Sequence, residues 1–261
     1  EQAIQIMSGA SIHDKRQDTS ISLKYFNPKG NLALTAATSS EDDYDAKSFG
    51  FEWSWEDDSK LTTYAVAHDF SNDDISPVDA DNYTYRITQA SKRQNSSLFS
   101  VSRIISKNAM MQFALGYQEK EGFLSDPYKA VLVDFNLIGD ARPESRYATT
   151  LASRLRYFVD KANGALHADY RYYSDSWSID SHTLDLSWYQ NLGNNFQLVP
   201  SIRVYSQTSS YFYEDYYDTS RADGYYSTDY RLSEYGAYTF GLKLIKNFDS
   251  FSLNVNSQRY L

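Results

Sequence analysis

The sequence has no cysteine, few prolines and glycines, and no long hydrophobic run. Its 261 residues include 5 prolines and 11 glycines, and the mean hydropathy is -0.60. The chain contains no apolar stretch of about eighteen residues, which excludes a membrane-spanning helix. The lack of cysteine suits an oxidising compartment, where a free thiol is a liability. Low hydropathy does not exclude a transmembrane β-barrel, whose strands present apolar side chains to lipid at every second position.

Positively charged residues are also fewer than negatively charged ones. The chain has 25 Lys and Arg residues against 34 Asp and Glu residues, which gives a net charge of -9. This balance argues against nucleic acid as a partner. The opening residues Glu1 to Ala3 lack the basic start and apolar segment of a signal peptide, which predicts a mature or trimmed product.

Aromatic residues, by contrast, are abundant. The chain has 24 Tyr, 14 Phe and 4 Trp, together 16% of its residues. Tyrosine combines an apolar ring with a polar hydroxyl, and such side chains are enriched where a protein meets the membrane–water interface. The composition therefore favours a membrane β-protein in contact with outer-membrane lipid.

The dominant pattern along the chain is the alternation of apolar and polar residues, which is typical of β-strands. Residues 47–56 show it clearly, with apolar Phe49, Phe51, Trp53 and Trp55 separated by Ser48, Gly50, Glu52 and Ser54. Similar segments form pairs around short turns, and longer connections follow at 40–46, 71–94, 119–145, 174–180 and 208–232. About twelve strands of roughly ten residues result, which is the length needed to cross a membrane.

We therefore predict an all-β fold, an antiparallel transmembrane β-barrel in the bacterial outer membrane. Short turns should face the periplasm and long loops the exterior. Residues 1–261 should form a single barrel domain that is incomplete at both ends, because the parity of the strands leaves both ends outside the cell. By the even-number rule the complete protein should have about 14 to 16 strands.

Two segments need separate interpretation. Residues 129–137 alternate like a strand, but a spanning strand here would place the later short turns on the wrong side, so we assign them to an extracellular hairpin. Pro200 lies within a good strand pattern and has no N–H to donate, which predicts a bulge or a local gap in pairing.

Several motifs together resemble a family of bacterial outer-membrane barrels known as a domain of unknown function. These motifs are Ser8–Ser11 with Asp14 and Arg16, Ser125–Lys129, Arg142–Arg146, Asp169–Tyr173 with Asp175–Trp177, and Asp223–Tyr226 with Asp229–Ser233. In that family the barrel gene often neighbours genes for a small lipoprotein, a thioredoxin-like protein and a flavin-transferase-like protein. The resemblance implies a surface assembly with a redox character and supplies no catalytic residue. Of these neighbours, the small lipoprotein is the partner that we expect.

Charged residues collect on the face opposite the apolar one in the later strands. They are Arg154, Arg156, His167, Asp169, Arg171, Asp185, Arg203 and Lys243. If the apolar face meets lipid, this charge network lines the lumen. It then serves either as a salt-bridged lining that holds the barrel or as a constriction that selects solutes by charge. A third reading pairs His167 and Asp169 with Ser153, Ser187 or Ser201 in a barrel hydrolase.

The segment 208–232 is rich in tyrosine and acidic residues. Its aromatic residues are Tyr211, Phe212, Tyr213, Tyr216, Tyr217, Tyr225, Tyr226 and Tyr230. Tyrosine gives a large contact area at low entropic cost, so this composition is typical of a partner-binding surface, although the rings could instead pack on other loops and cap the barrel mouth.

Acidic clusters in the loops could hold calcium, a cation that prefers oxygen ligands. They are Glu41, Asp42, Asp43 and Asp45; Asp73, Asp74, Asp79 and Asp81; and Glu214, Asp215 and Asp218. None has the spacing of a regular calcium loop, so a solvated acidic surface is the favoured interpretation and no other cofactor or metal is expected.

For function the sequence favours a non-enzymatic barrel that scaffolds or displays a partner at the cell surface, with the tyrosine-rich loop as the contact surface. The alternatives are a porin-like diffusion channel for small solutes and a hydrolase that uses His167.

Overall fold

The structure, a computed structural model, describes residues 6–7 and 15–261. The motif at Ser8–Ser11, Asp14 and the opening Glu1 to Ala3 lie outside the described residues. The strands are β1 (Ile6–Met7), β2 (Gln17–Asn27), β3 (Gly30–Ser40), β4 (Tyr44–Glu56), β5 (Thr62–Ile75), β6 (Ala90–Ser106), β7 (Ala109–Gly122), β8 (Lys129–Val133), β9 (Asn136–Gly139), β10 (Ser145–Val159), β11 (Gly164–Asp175), β12 (Asp180–Gly193), β13 (Phe196–Gln207), β14 (Tyr235–Asn247) and β15 (Ser252–Tyr260). Short 3₁₀ turns cover Ala80–Asn82, Asp160–Ala162 and Tyr230–Leu232. No helix in the described part of the chain is long and apolar enough to span a membrane.

Twelve strands form one antiparallel sheet in which neighbours in the chain are neighbours in space. The order is β15-β14-β13-β12-β11-β10-β7-β6-β5-β4-β3-β2. The predicted hairpins and the count of about twelve strands are confirmed. Strands β2 and β15 form the two edges, and the sheet is not closed within the described residues. The further strands expected for a complete barrel stay a prediction.

The connections differ in length at the two ends of the sheet. At one end they are short, as at residues 28–29, 107–108 and 194–195, whereas at the other end they include 76–89, 123–144 and 208–234. The predicted bounds 71–94 and 119–145 were too wide. Here β5 continues to Ile75, and β7 continues to Gly122, because the backbone ladder persists beyond the last apolar residues.

The predicted hairpin at residues 129–137 is confirmed, and its extracellular position stays a prediction. Strands β8 and β9 pair as a hairpin and join β1 in a separate three-stranded sheet. Strand β10 pairs directly with β7, and the Gly122 amide donates to the Glu144 carbonyl at 2.8 Å. The hairpin is therefore an excursion from the main sheet.

Pro200 lies beside a gap in pairing, as expected. The ladder between β12 and β13 includes Ser187 opposite Ser201 and next pairs Gln190 with Leu198, leaving two positions unpaired. On its other side Pro200 lies opposite Leu242 in an unbroken register with β14. The missing N–H thus interrupts only one of the two ladders.

The outer face of the sheet, as we define it, carries the apolar stripe. A single row runs through Leu32, Trp53, Val66, Phe99, Leu115 and Leu151, each directly opposite the next. Trp53 and Leu151 remain 46% and 49% exposed, far more than core side chains of a soluble protein. Such a contiguous apolar surface fits contact with lipid. The opposite face is called the inner face below.

Candidate functional site

The charged residues predicted for the lumen share the inner face of the sheet. Arg154 lies opposite Asp169, Asp169 opposite Asp185, and Asp185 opposite Arg203, so that one row crosses β10 to β13. Arg156 and His167 are opposite each other in the next row. The period-2 rule therefore placed these residues on a common face.

The charges of these two rows are only partly paired with opposite charges. Arg156 donates from both guanidinium nitrogens to Asp169, at 2.9 Å for Nη2 to Oδ2. Arg203 Nε lies 2.5 Å from Asp185 Oδ1. Arg154 donates to Gln112 Oε1 at 3.3 Å. A cavity of about 590 Å³ is lined by the charged row and by Arg171, whereas Arg156 and Lys243 lie outside it.

Arg171 and Lys243 form no ion pair within residues 15–261. Three cationic and two anionic residues line the cavity, so positive charge exceeds negative charge there. Its charged lining residues are Arg154, Asp169, Arg171, Asp185 and Arg203. A surplus of positive charge on the inner face of an acidic protein would favour negatively charged solutes.

His167 does not have the contacts of a hydrolase dyad. Its ring centroid lies 4.2 Å from that of Tyr189, and Asp169 is bound by Arg156. In the described part of the chain no hydrogen bond joins His167 to Asp169. Ser187 is directly opposite His167, whereas Ser153 pairs with Tyr170 on the outer face. The orienting acid of a Ser–His pair is thus engaged elsewhere.

The long loops fold together at the end of the sheet opposite the short turns. We call residues 123–144, 176–179 and 208–234 the extracellular cap, after the side on which the long loops of an outer-membrane barrel are predicted to lie. The cap lies over the inner face, because Trp177 packs its ring 4.4 Å from the guanidinium of Arg146, which shares that face of β10 with Arg154. Because these loops fold inward, they form a packed core of their own, separate from the sheet.

Two hydrophobic clusters form the core of the cap. The first contains Val131, Val133, Tyr217 and Tyr226, and the second contains Trp177, Ile179, Phe212 and Leu232. Within the second, the Phe212 and Trp177 rings meet edge to face with centroids 5.1 Å apart. The cap is therefore packed like the interior of a globular domain.

Tyr217 is the polar centre of the first cluster. Its hydroxyl donates to the Phe212 carbonyl at 2.6 Å and accepts from the Ser227 amide at 2.8 Å. Burial raises the pKa of Tyr217 to about 12, so the hydroxyl stays protonated and remains a donor at physiological pH.

A buried ion cluster ties the separate loops of the cap together. Asp229 is completely buried, and its carboxylate binds Lys129 Nζ at 3.0 Å, Arg142 Nη2 at 3.0 Å and Arg231 Nη2 at 2.6 Å. Arg142 also donates from Nε to Asp140 at 2.7 Å. We call these five residues the Asp229 cluster.

The three cations determine the protonation state of Asp229. Burial alone would raise the pKa of Asp229, but hydrogen bonds from Arg231 and Lys129 and the charge of Arg142 outweigh it and hold that pKa well below its usual range. The carboxylate is therefore ionised at any physiological pH.

The eight aromatic residues predicted to bind a partner have three different environments. Phe212, Tyr217 and Tyr226 are buried, and Tyr213 and Tyr225 are half-buried. Tyr211, Tyr216 and Tyr230 are 43%, 42% and 64% exposed. The loop thus has both an inward-packed set and an outward set.

Sequence reasoning missed Phe135 at the tip of the β8–β9 hairpin. Its side chain is 86% exposed, and both Asp134 and Phe135 have positive φ, at 45° and 60°. A bulky residue with positive φ is unusual and costs free energy. The tip lies beside the tyrosine-rich loop, because the Asp134 amide donates to the Tyr217 carbonyl at 3.4 Å. In the sequence, the pair Asp134 and Phe135 between two short alternating segments is the signal that could have predicted a turn at this place.

Two residues of the acidic clusters accept hydrogen bonds from tyrosine hydroxyls. Asp43 accepts from the Tyr128 hydroxyl, and Asp73 accepts from the Tyr44 hydroxyl. No group of three or more His, Cys, Asp or Glu residues in the described chain is arranged to hold a metal ion. The calcium hypothesis thus receives no support from the described geometry.

Solved structures with a similar fold are outer-membrane proteins. A mutant ferric enterobactin receptor (PfeA) from Pseudomonas aeruginosa has a TM-score of 0.64 at 13% identity, over 99% of this chain and 44% of that chain. The unliganded ferric citrate transporter FecA has a TM-score of 0.53 at 11% identity, over 97% and 42%. CdiB from Acinetobacter baumannii has a TM-score of 0.50 at 12% identity, over 93% and 46%. The chain thus spans less than half the length of these proteins.

The antiparallel sheet, its apolar outer face and these likenesses define the chain as a β-barrel protein of the bacterial outer membrane. The chain belongs to the family described as Protein of unknown function (DUF3570), which matches residues 2–261. The predicted resemblance is confirmed. No curated protein matches the sequence.

Proposed function

We propose that this protein is a non-enzymatic outer-membrane barrel that holds a partner protein at the cell surface, with the extracellular cap as the contact surface. The observation that carries the proposal is the exposed aromatic set on a rigidly packed cap. Phe135, Tyr216 and Tyr230 are 86%, 42% and 64% exposed above cores that fix the surrounding backbone. Exposed aromatic anchors on a preorganised surface are typical of protein-binding sites.

The partner we propose is the small lipoprotein that the family resemblance implies. A lipoprotein anchored in the same membrane would meet the barrel at high local concentration, so a contact patch of modest size would be enough to hold it. Phe135 at the hairpin tip is the most exposed large apolar side chain among the described residues, which suits insertion into a pocket of the partner.

Replacing Phe135 by serine should abolish capture of the lipoprotein. Loss of a central aromatic anchor typically costs 2 kcal/mol or more, which corresponds to roughly thirtyfold weaker binding. The measurement is co-purification of the tagged lipoprotein from outer membranes that contain either the natural barrel or the Phe135→Ser variant.

The matched control is Phe251→Ser, which removes an aromatic side chain of 63% exposure at the short-turn end of the sheet. It should leave capture unchanged. Deleting residues 208–232 is a poor test, because the deletion also removes buried Phe212 and Asp229. Full capture by both Phe135→Ser and Tyr216→Ala would contradict the proposal.

A diffusion channel is the second candidate, and the positively charged cavity on the inner face favours it. If solutes pass along this face, they meet Arg154, whose contact with Gln112 leaves its charge unneutralised. Such a constriction would prefer anions.

Replacing Arg154 by serine should then shift the ion preference of the channel toward cations. The measurement is the reversal potential of the full chain in a planar bilayer under a salt gradient. A second variant, Arg156→Ser, removes the partner of Asp169 and leaves that carboxylate free, so that it should shift the preference in the same direction; the control is Lys107→Ser in a short turn, which should leave it unchanged. A correctly folded protein that conducts no current would exclude this function.

A further inference from the structure

A second cavity lies between the cap and the inner face of the sheet. Its volume is about 460 Å³. Lys92, Lys120 and Arg146 contribute its floor from β6, β7 and β10, and Tyr44, Tyr128 and Trp177 contribute aromatic walls. We call this cavity the vestibule pocket. None of its residues belongs to the exposed aromatic set described above.

Two like charges lie side by side in the floor of the vestibule pocket. Lys120 is directly opposite Arg146 in the register of β7 and β10, and it is half-buried. Like charges in directly opposite positions destabilise a sheet. Arg146 is neutralised, because its Nε donates to Asp175 Oδ2 at 2.8 Å. Lys120 forms no hydrogen bond or ion pair within residues 15–261.

Four of the other charged residues that line the pocket have partners, and the fifth, Arg93, is exposed at an outer-face position of β6 opposite Glu121. Lys92 Nζ lies 3.6 Å from Asp73 Oδ2, and Arg142 belongs to the Asp229 cluster. Glu41 lies 3.5 Å from Arg16 Nε, and Asp43 accepts from the Tyr128 hydroxyl. Among the inner-face cations of the pocket, Lys120 is therefore the one that forms no ion pair within residues 15–261.

The walls of the pocket are aromatic, whereas its floor is charged. Trp177 is only 3% exposed and is held in place by a hydrogen bond from its indole N–H to the Ser145 carbonyl at 2.9 Å. The Tyr44 hydroxyl is fixed on Asp73. Together with Tyr128, these rings line the pocket beside the Lys120 ammonium group. Such a combination of few polar anchors and aromatic walls is typical of small-molecule sites.

We propose that the vestibule pocket binds a small organic anion, with its carboxylate or phosphate on Lys120 and its apolar or aromatic body against Tyr44 and Tyr128. An oxyanion beside Lys120 would supply the ion-pair partner that this lysine lacks and gain a charge-assisted hydrogen bond. This site does not depend on the display of a partner protein.

Calorimetric titration of the full chain, refolded in detergent, tests the proposal with benzoate and phenyl phosphate as probes. Benzoate should bind at least about tenfold more tightly than neutral benzamide, as expected for a charge-assisted contact. Lys120→Met should weaken benzoate binding by a similar factor, and Lys120→Arg should restore it. Comparison of the two probes tells whether the site prefers a carboxylate or a phosphate.

The matched control is Lys107→Met, which removes a lysine from the short turn at the far end of the sheet and should leave binding unchanged. Heat-modifiable gel mobility verifies that each variant is folded, and Lys120→Gln provides a second neutral variant. The proposal is overturned if neither probe binds, if benzamide binds as tightly as benzoate, or if folded Lys120→Met and Lys120→Gln bind benzoate like the natural chain.

Discussion

An Asp229→Asn variant is expected to lose the protease resistance of the extracellular cap while its transmembrane sheet stays folded. The substitution keeps the shape of the side chain but leaves Lys129, Arg142 and Arg231 around a neutral group. Removing one partner of a buried ion cluster typically costs about 3–5 kcal/mol. The measurement is limited trypsin digestion, which should cleave the variant after Lys129 or Arg231.

The control is Asp223→Asn in the same loop. Asp223 pairs with Arg221 at 2.6 Å, but it is exposed, and surface pairs contribute only about 0–1 kcal/mol. Its cap should therefore resist trypsin like that of the natural protein. Equal resistance of Asp223→Asn and Asp229→Asn would mean that the Asp229 cluster does not hold the loops together.

The depressed pKa of Asp229 also sets the direction of the acid response. A carboxyl with a folded-state pKa below its unfolded value contributes its full stability above the unfolded value, about 3.9, and loses it only as the pH falls further. The Asp229 cluster should therefore hold the natural cap equally well at pH 7 and pH 5. Near-ultraviolet circular dichroism of the cap aromatics measures this directly.

Replacing Phe212 by alanine is expected to unfold the second core of the cap. The ring is fully buried and packs against Trp177 at a centroid distance of 5.1 Å. Truncation of a buried phenylalanine typically costs about 3–5 kcal/mol, because the cavity that remains is only partly filled. Hydrogen exchange should show the loss as faster exchange of amides in 208–234, with the sheet amides unchanged.

The adjacent Tyr211 provides a matched control for Phe212. Its ring meets Phe212 edge to face at 5.1 Å, but it is 43% exposed, so Tyr211→Ala should cost much less. Comparable exchange rates in the two variants would show that the cap does not depend on its aromatic core.

The sequence predicted the sheet well, because each strand repeats a two-residue period that places apolar side chains on one face. The inner-face charges Arg154, Asp169, Asp185 and Arg203 share one row for the same reason. Neighbouring strands are also joined by short turns, so their pairing is local. These features depend only on periodicity and on connection length.

The cap could not be predicted in the same way. The contact between Arg142 and Asp229 joins residues 87 positions apart, and no periodic pattern specifies it. The segment 208–232 has one composition throughout, yet Phe212 is buried and Tyr230 is exposed. Their environments are set by packing against β8, β9 and Trp177, which only the tertiary structure reveals.

The course of the chain through the sheet has a consequence for how the protein reaches its native state. Every strand of the twelve-stranded sheet pairs with its neighbour in the sequence, apart from the excursion between β7 and β10. Contacts of this kind have low contact order and can form early as successive hairpins. The Asp229 cluster needs two distant segments, 123–144 and 208–234, to meet, so it forms after the hairpins. Assembly of the barrel and maturation of its surface are therefore separable kinetic steps, and a protein trapped between them would be inserted in the membrane with unfolded, protease-sensitive loops.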